Sequence, residues 1–411
     1  MASPISIIGG GVIGLTTAWA LVKKGYDVQL IEASDKPGSG ASFANGGQLS
    51  YRYVSPLADA GIPMQALGWL MQNDAPLRLR LRMEPHQWRW LYDFLRACRA
   101  SVNQRNTQRL LGLAMHSREV LTGWREQDRL ADFSWRQNGK LVAFRRQAIF
   151  DHARQHLADT QAQQVLAADQ LAMLDPALAN TPFVGGIYTA GEEVGDCYHF
   201  CLVLEARLRA SGQCHFITGH PVSQIIHREK QVTALRIAGS ELPVDKLIIC
   251  AGYQSPSLAL PGIRLAVYPL KGYSLSVPSE ATSITPSISL TDYDKKIVYA
   301  RLGRQLRIAA KVDINGFDNT VDEKRIASIR TAAKELFPHG GNYENATVWT
   351  GMRPATPTSV PVISATPYRN LWLNVGHGAL GFTLACGSAS LVSTMIDSGE
   401  TPLDINDFRY K

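Results

Sequence analysis

The chain opens on a short apolar run, Ile5-Ser-Ile-Ile8, of the length a buried strand needs, and the run ends in a glycine turn, Gly9-Gly10-Gly11-Val12-Ile13-Gly14. Leu15 to Lys24 then repeats apolar positions at helical spacing and stops at Gly25. Tyr26 to Glu32 alternates apolar and polar positions, as a second strand does. Strand, helix and strand together occupy about thirty residues, the size of a nucleotide-binding βαβ unit. From about residue 60 to 180 the spacing turns helical, as in Gln87–Arg99 and Thr107–Arg125. Residues 215–252 return to strand-like runs. Residues 266–312 (VYPLKGYSLSVP, KIVYARLG, QLRIAAKV) read as an antiparallel sheet with turns between its strands. Residues 322–337 form an amphipathic helix closed by Pro338 and Gly340, and Gly381 to Asp397 reads as a last helix.

This order predicts an α/β fold, α+β over the whole chain. A discontinuous Rossmann-like nucleotide domain takes residues 1–60, 195–265 and 346–411. A second domain, an antiparallel sheet with a helical insertion, takes 61–194 and 266–345. With 411 residues, of which 45% are hydrophobic and 19% charged, the core is large enough to enclose a bulky cofactor. The net charge of +7 is a mild excess, and no basic run alternates with aromatics as nucleic-acid modules require. Six cysteines are too sparse for a disulfide scaffold and suit a reducing, cytoplasmic compartment. Cys197-Tyr-His-Phe-Cys201 fits no standard zinc spacing, so no metal is expected and the thiols read as core. The apolar start runs straight into the glycine turn, without the basic flank and cleavage site of a secretion signal. No apolar stretch approaches the roughly 18 residues of a membrane-spanning helix.

The turn Gly9-x-Gly11-x-x-Gly14 carries the first chemistry. Gly9 permits the tight turn, Gly11 lets a pyrophosphate approach the backbone, and Gly14 lets the helix pack on the strand. Backbone N–H groups of the helix start, at Val12 and Ile13, then face the phosphates. Glu32 ends the second strand, where a carboxylate accepts hydrogen bonds from ribose hydroxyls and repels the extra phosphate of NADP. The unit alone does not separate FAD from NAD. The small, polar segment Ser39 to Gln48 lets backbone lie against a flat ring, as a flavin needs; a solvent loop favours the same residues.

At this point the chain resembles a known family. The glycine turn, SFANGGQLSYRYVSP, VYPLKGYSLSVP, GMRPATPTSVPVI and GHGALGFTLACGSA look together like the bacterial FAD-dependent D-amino acid dehydrogenases, within the D-amino acid oxidase and glycine oxidase superfamily. The resemblance spans nearly the whole chain. It implies FAD held in an extended form, with an antiparallel sheet over the flavin's reactive face. It places Ser42, Ala44, Asn45, Gly46, Gly47, Gln48 and Leu49 near the isoalloxazine ring, with Ala33 and Ser34 following Glu32 in the cofactor set. Val222 would hold the adenine through its backbone, and Ala251-Gly252 would end a strand beside the cofactor. Gly378, Leu380, Gly381, Phe382 and Thr383 would meet the pyrimidine end at a helix N-terminus, which stabilises the charge of reduced flavin. Relatives commonly carry Ala-Gly-Glu in place of Gly46-Gly47-Gln48, and several have a bulkier residue at Phe382; both differences bear on the substrate pocket.

The implied reaction removes a hydride from the α-carbon of an amino acid, leaving an imino acid that water hydrolyses to a 2-oxo acid and ammonia. It needs positioning more than a protein nucleophile. Arg353, flanked by Gly351 and Pro354, is the principal candidate, because a guanidinium grips a carboxylate with two parallel bonds. In the resembling family the arginine of this motif binds the substrate carboxylate. The alternative is a salt bridge within the fold. Tyr53 and Tyr273 offer hydroxyls and pocket walls, or core packing. His377, between two glycines, would touch flavin or substrate, or be satisfied by the backbone. Lys271 sits beside Gly272 with no assigned place. Glycine, sarcosine and cyclic imino acids of the D-proline or hydroxyproline type fit the same constellation.

The acceptor of the electrons divides the relatives into oxidases, which use oxygen, and dehydrogenases, which use a quinone or another carrier. Quinones lie in membranes, so the arginine- and tryptophan-rich segment 64–99 reads as a peripheral contact at the inner face of the cytoplasmic membrane, or as a helical insertion with a solvated basic face. An electron-transfer subunit of a larger complex and a flavin-containing binding protein are the other readings.

Overall fold

The computed structural model describes residues 3–64, 68, 75–157, 159–397 and 399–410. Two sheets organise them. The first runs in the order Val362–Ala365, Leu371–Val375, Lys246–Ile249, Ile5–Ile8, Val28–Ile31, Cys214–Ile217. Its pairings are parallel except that between Val362–Ala365 and Leu371–Val375. The central strands Ile5–Ile8 and Lys246–Ile249 are buried on both sides over most of their length and are mostly apolar, as parallel sheets require. One side carries the helices Val12–Val22, Cys197–Ala210 and Gly381–Ile396, which share a core with Ile5 and Ile7. The other is covered by the three-stranded meander Val222–Arg228, Gln231–Ile237, Ser240–Pro243. Cys197 and Cys201 lie one turn apart on their helix, buried in that core.

The second sheet runs Thr347–Ala355, Tyr268–Pro278, Gln305–Ile314, Ile297–Leu302, Ser289–Asp292, Lys140–Phe144, Gly185–Thr189, Gln163–Ala167, and Leu77–Leu79 pairs with Gln305–Ile314. The helix Glu323–Leu336 covers one face through Ile326, Ile329 and Ala333. The opposite face looks onto the nucleotide-binding layer.

Two domain borders expected from the sequence are corrected. Thr347–Ala355 does not belong with the C-terminal nucleotide piece: it pairs along its whole length with Tyr268–Pro278, in the second sheet. The helix Ala100–Gln127 does not belong with the second sheet. Its stripe of Leu110, Leu113, Leu121 and Trp124 packs into the core formed with Gly381–Ile396. Each such side chain contributes about 1.5–3 kcal/mol when fully buried, so this stripe outweighs the helix's position in sequence. Gly378–Ile396 is the one stretch among the described residues long and apolar enough to cross a membrane, but 67% of that window is buried inside the protein. The segment 64–99 yields the strand Leu77–Leu79 and the helix Pro85–Ala97; its residues 65–67 and 69–74 lie outside the described residues.

Candidate active site

The glycine turn is built from backbone collisions that side chains would create. Gly9 has φ +106°, and a Cβ there would stand 2.4 Å from Cys250 O; one on Gly14 would stand 1.8 Å from Gly9 O. A Cβ on Gly11 would meet only Ser42 Oγ, at 3.6 Å, so that side of the turn stays open to an approaching group. Val12 N–H donates to Ser42 Oγ at 3.0 Å. Glu32 accepts from Gly10 N–H at 2.6 Å and from Ser34 N–H at 2.8 Å, which holds its carboxylate over the turn. Ala33 and Ser34 continue outward, exposed to solvent. Val222 begins the meander, partly buried, and Ala251 follows the strand Lys246–Ile249 into Gly252, whose surroundings are open.

The segment 42–49 runs between the two sheets. Asn45 O accepts from Arg307 Nη1 at 2.6 Å, and Asn45 Oδ1 accepts from Gly47 N–H at 2.9 Å. A Cβ on Gly46 would meet Ala309 at 3.3 Å, so the segment lies close against the strand Gln305–Ile314. Ala44 and Leu49 are buried, while the Gln48 amide reaches Ser289 Oγ at 2.5 Å. Thr383 Oγ1 accepts from Ser50 N–H at 3.2 Å, tying the segment to the start of the helix Gly381–Ile396. Gly378 and Leu380 form the single turn that leads into that helix. Phe382 points the other way, 5.6 Å from Phe200 in the core. Its side chain therefore shapes the core rather than the substrate pocket, which corrects the expectation for that position.

Arg353 stands on the face of the second sheet that looks toward this segment. Its guanidinium lies over Gly272, where a Cβ would collide with Cζ at 2.5 Å. It makes one hydrogen bond, Nη1 to Lys311 O at 3.3 Å, and no carboxylate among the described residues pairs with it. Burial alone lowers its pKa to about 10. Ser274 Oγ and Arg307 Nε, buried and without partners, belong to the same face. The Tyr53 ring is open along one side, and burial around its hydroxyl raises its pKa.

Two candidates leave the site. Tyr273 alternates with Gly272 and so joins Leu275 and Val277 in the core under the helix Glu323–Leu336. Its hydroxyl donates to Asp313 Oδ2 at 2.6 Å, and burial with that bond raises its pKa. His377 is buried, its Nε2 3.1 Å from Ser388 Oγ, and burial lowers its pKa to about 3, so the ring is neutral near pH 7 and cannot carry a proton there. Lys271 turns to the same face as Tyr273 and donates to Thr320 O at 2.9 Å.

Residues 5–395 match the FAD dependent oxidoreductase family. The chain belongs to that family. D-amino acid dehydrogenase 2 of Pseudomonas aeruginosa is 55% identical to it, over 99% of this chain and 97% of that one. A protein of the same name from Ralstonia nicotianae is 39% identical, over 95% and 96%. The structure of glycine oxidase from Geobacillus kaustophilus matches the fold with a TM-score of 0.77 at 20% identity, covering 99% of this chain and 98% of its own. L-proline dehydrogenase from P. horikoshii gives 0.75 at 13% identity, covering 99% and 96%. The cofactor of this oxidoreductase is FAD. The open side of Gly11, the carboxylate of Glu32 and the unpartnered Ser274 and Arg307 atoms fit such a group between the layers.

Two residues escaped the sequence reading. Arg307 braces Asn45 O and lies 3.6 Å from Asp196, and Lys140 donates to Ser50 Oγ. Their signal was there: each is a charge set in an otherwise largely apolar strand, QLRIAAKV and KLVAF.

Proposed function

We propose that this FAD-dependent oxidoreductase deaminates D-amino acids by hydride transfer from the α-carbon, giving a 2-oxo acid and ammonia. The observation that carries this is Arg353: a largely enclosed guanidinium, on the face above the cofactor segment, with one backbone carbonyl as its partner. Such a group matches a substrate carboxylate through two charge-assisted bonds. Gripping the carboxylate fixes the α-carbon, and the Gly272 surface beneath leaves room for the grip. The glycine turn, Glu32, Ser42, Val222, Ala251–Gly252 and the turn 378–383 are the residues that would hold the cofactor. FAD, when bound, supplies the acceptor for the departing hydride. The preference for D-amino acids follows relatives at 55% and 39% identity that bear that name. An anaerobic screen of D- and L-amino acids, glycine, sarcosine and D-proline, followed by flavin bleaching, tests the reading. Bleaching by D-amino acids supports it, and bleaching by none of them sinks it.

We further propose that the electrons pass to a quinone, with the protein docked on the cytoplasmic face of a membrane. The helix Pro85–Ala97 buries Trp90 and Phe94 and exposes Trp88, Tyr92 (61%) and Leu95, next to Met83 (97%) and Leu81. Arg80, Arg89, Arg96 and Arg99 are exposed among them. Exposed aromatics between arginines suit an anionic interface. Sedimentation with phosphatidylglycerol vesicles, lost on Trp88→Ser with Tyr92→Ser, is the expected result; binding indifferent to those changes speaks against this surface.

A further inference from the structure

A lysine is almost never fully buried without a carboxylate against it. Lys140 is 4% exposed. Its Nζ donates to Ser50 Oγ at 2.8 Å and stands 4.4 Å from the centre of the Tyr53 ring. No carboxylate among the described residues forms an ion pair with it. Glu192 attracts it, but the two Glu192 oxygens accept from Tyr51 N–H and Arg52 N–H. A charge kept for stability is paired, and an unpaired buried one is a cost that an apolar side chain of the same size removes. The position of Lys140 accounts for the cost. Strand register sets it opposite Ser289, and Arg307 opposite Ala300 and Ser276, on the sheet face that looks onto the cofactor segment. Ser50 and Tyr53 continue that segment, and Ser50 N–H is held by Thr383 at the start of the helix Gly381–Ile396. One ammonium thus joins the covering sheet to the stretch of chain between two cofactor-facing elements.

We infer that Lys140 is a positioning residue: its ammonium holds the Ser50 hydroxyl and the Tyr53 ring on the wall of the site, and turnover requires its protonated form. This rests on the amino-acid-oxidising reading above. Burial lowers the Lys140 pKa to about 8, with Glu192 acting against it. The groups facing it are Glu192, whose carboxyl burial pushes up, and Tyr53, raised by burial; behind them Arg52, bonded to Asp159, acts on Glu192, and Tyr293, also raised by burial, acts on Tyr53. Neither tyrosine loses its proton where Lys140 does.

The test compares the enzyme with Lys140→Arg and Lys140→Met across about pH 6.5 to 10. In the parent, kcat/KM falls on the alkaline side with a midpoint near 8. Lys140→Arg keeps turnover at neutral pH within about threefold and loses that fall, because arginine stays charged. Lys140→Met loses about ten- to hundredfold at neutral pH, the worth of a hydrogen bond from a charged group, with no alkaline fall. Two readouts need no substrate. The flavin absorbance of the FAD-loaded parent shifts with a midpoint near 8, and that of Lys140→Met does not. Melting has the opposite sign to turnover: above pH 8 the folded chain has released a proton that the unfolded chain still holds, so stability rises with pH up to about 10.5. Lys140→Met loses this rise and melts no lower than the parent at neutral pH. An alkaline midpoint or a flavin shift that survives both substitutions overturns the inference, as does a Lys140→Met enzyme with parental turnover. A screen in which no amino acid bleaches the flavin defeats only the reading of the reaction, and the absorbance and melting series still judge Lys140.

Discussion

The two faces of the strand Tyr268–Pro278 use the same residue types to opposite ends. Behind it, Asp313 is fully enclosed and saturated: Oδ2 takes Arg78 Nη2 and the Tyr273 hydroxyl, each at 2.6 Å, and Oδ1 takes Arg325. Arg325 also donates to Ala75 O at 2.7 Å. In front of it, Arg353 has one long bond to a carbonyl, Ser274 Oγ has none, and Lys140 has no acid. Charges that complete one another locally hold a sheet to its helix. Charges left incomplete on a sheltered face await a ligand, since nothing in the fold repays their desolvation.

Substitutions on the two faces should therefore separate stability from turnover. Asp313→Ala strands Arg325 in the core and should lower unfolding stability by about 3–5 kcal/mol, the usual result of breaking a buried pair. Its melting temperature checks this, and an unshifted melt removes the contrast. Arg353→Ala should leave the protein yellow and its melt unchanged while kcat/KM falls about 10²- to 10³-fold, the loss of a bidentate grip worth about 3–4 kcal/mol. Parental kinetics would take Arg353 out of the site. Glu32→Ala should weaken FAD retention about tenfold, near the value of one hydrogen bond to a charged acceptor; equilibrium dialysis that finds equal affinity means the ribose is held otherwise.

His377→Asn gives the smallest change. The folded-state pKa of about 3 lies below the ordinary value of 6.5, so the unfolded chain binds the proton first as pH falls. The contribution is whole above pH 6.5 and is lost between 6.5 and 3. The variant should show a shallower loss of stability in acid and the same activity profile from about pH 6.5 to 8. A changed profile there would return His377 to the chemistry.

Much of this was legible along the chain because its causes are local. The collisions at Gly9 and Gly14 involve a turn and its neighbouring strands, so spacing alone announces them. The register of Thr347–Ala355 and the docking of Ala100–Gln127 were not legible, since each joins residues more than fifty positions apart or crosses between layers. Tyr273 and His377 misled for a related reason. Sequence shows a polar group beside glycines but not which face the pleat presents, and one residue of alternation separates Arg353's neighbour Gly272 from Tyr273 in the core.

The sequence by itself determined that a dinucleotide unit opens the chain, that a flavoenzyme family lies behind its motifs, and that Arg353 deserved the first test. The first rests on steric requirements met within a few residues of one another; the family, and the role of Arg353 within it, rest on motifs whose resemblance spans nearly the whole chain. Tertiary structure alone decided which charges are paired. Arg325 and Arg353 look alike in sequence, and so do Lys140 and Lys271; the carboxylate of Asp313 distinguishes the arginines, the sheet face each turns to distinguishes the two buried lysines, and both are properties of chain segments brought together from afar.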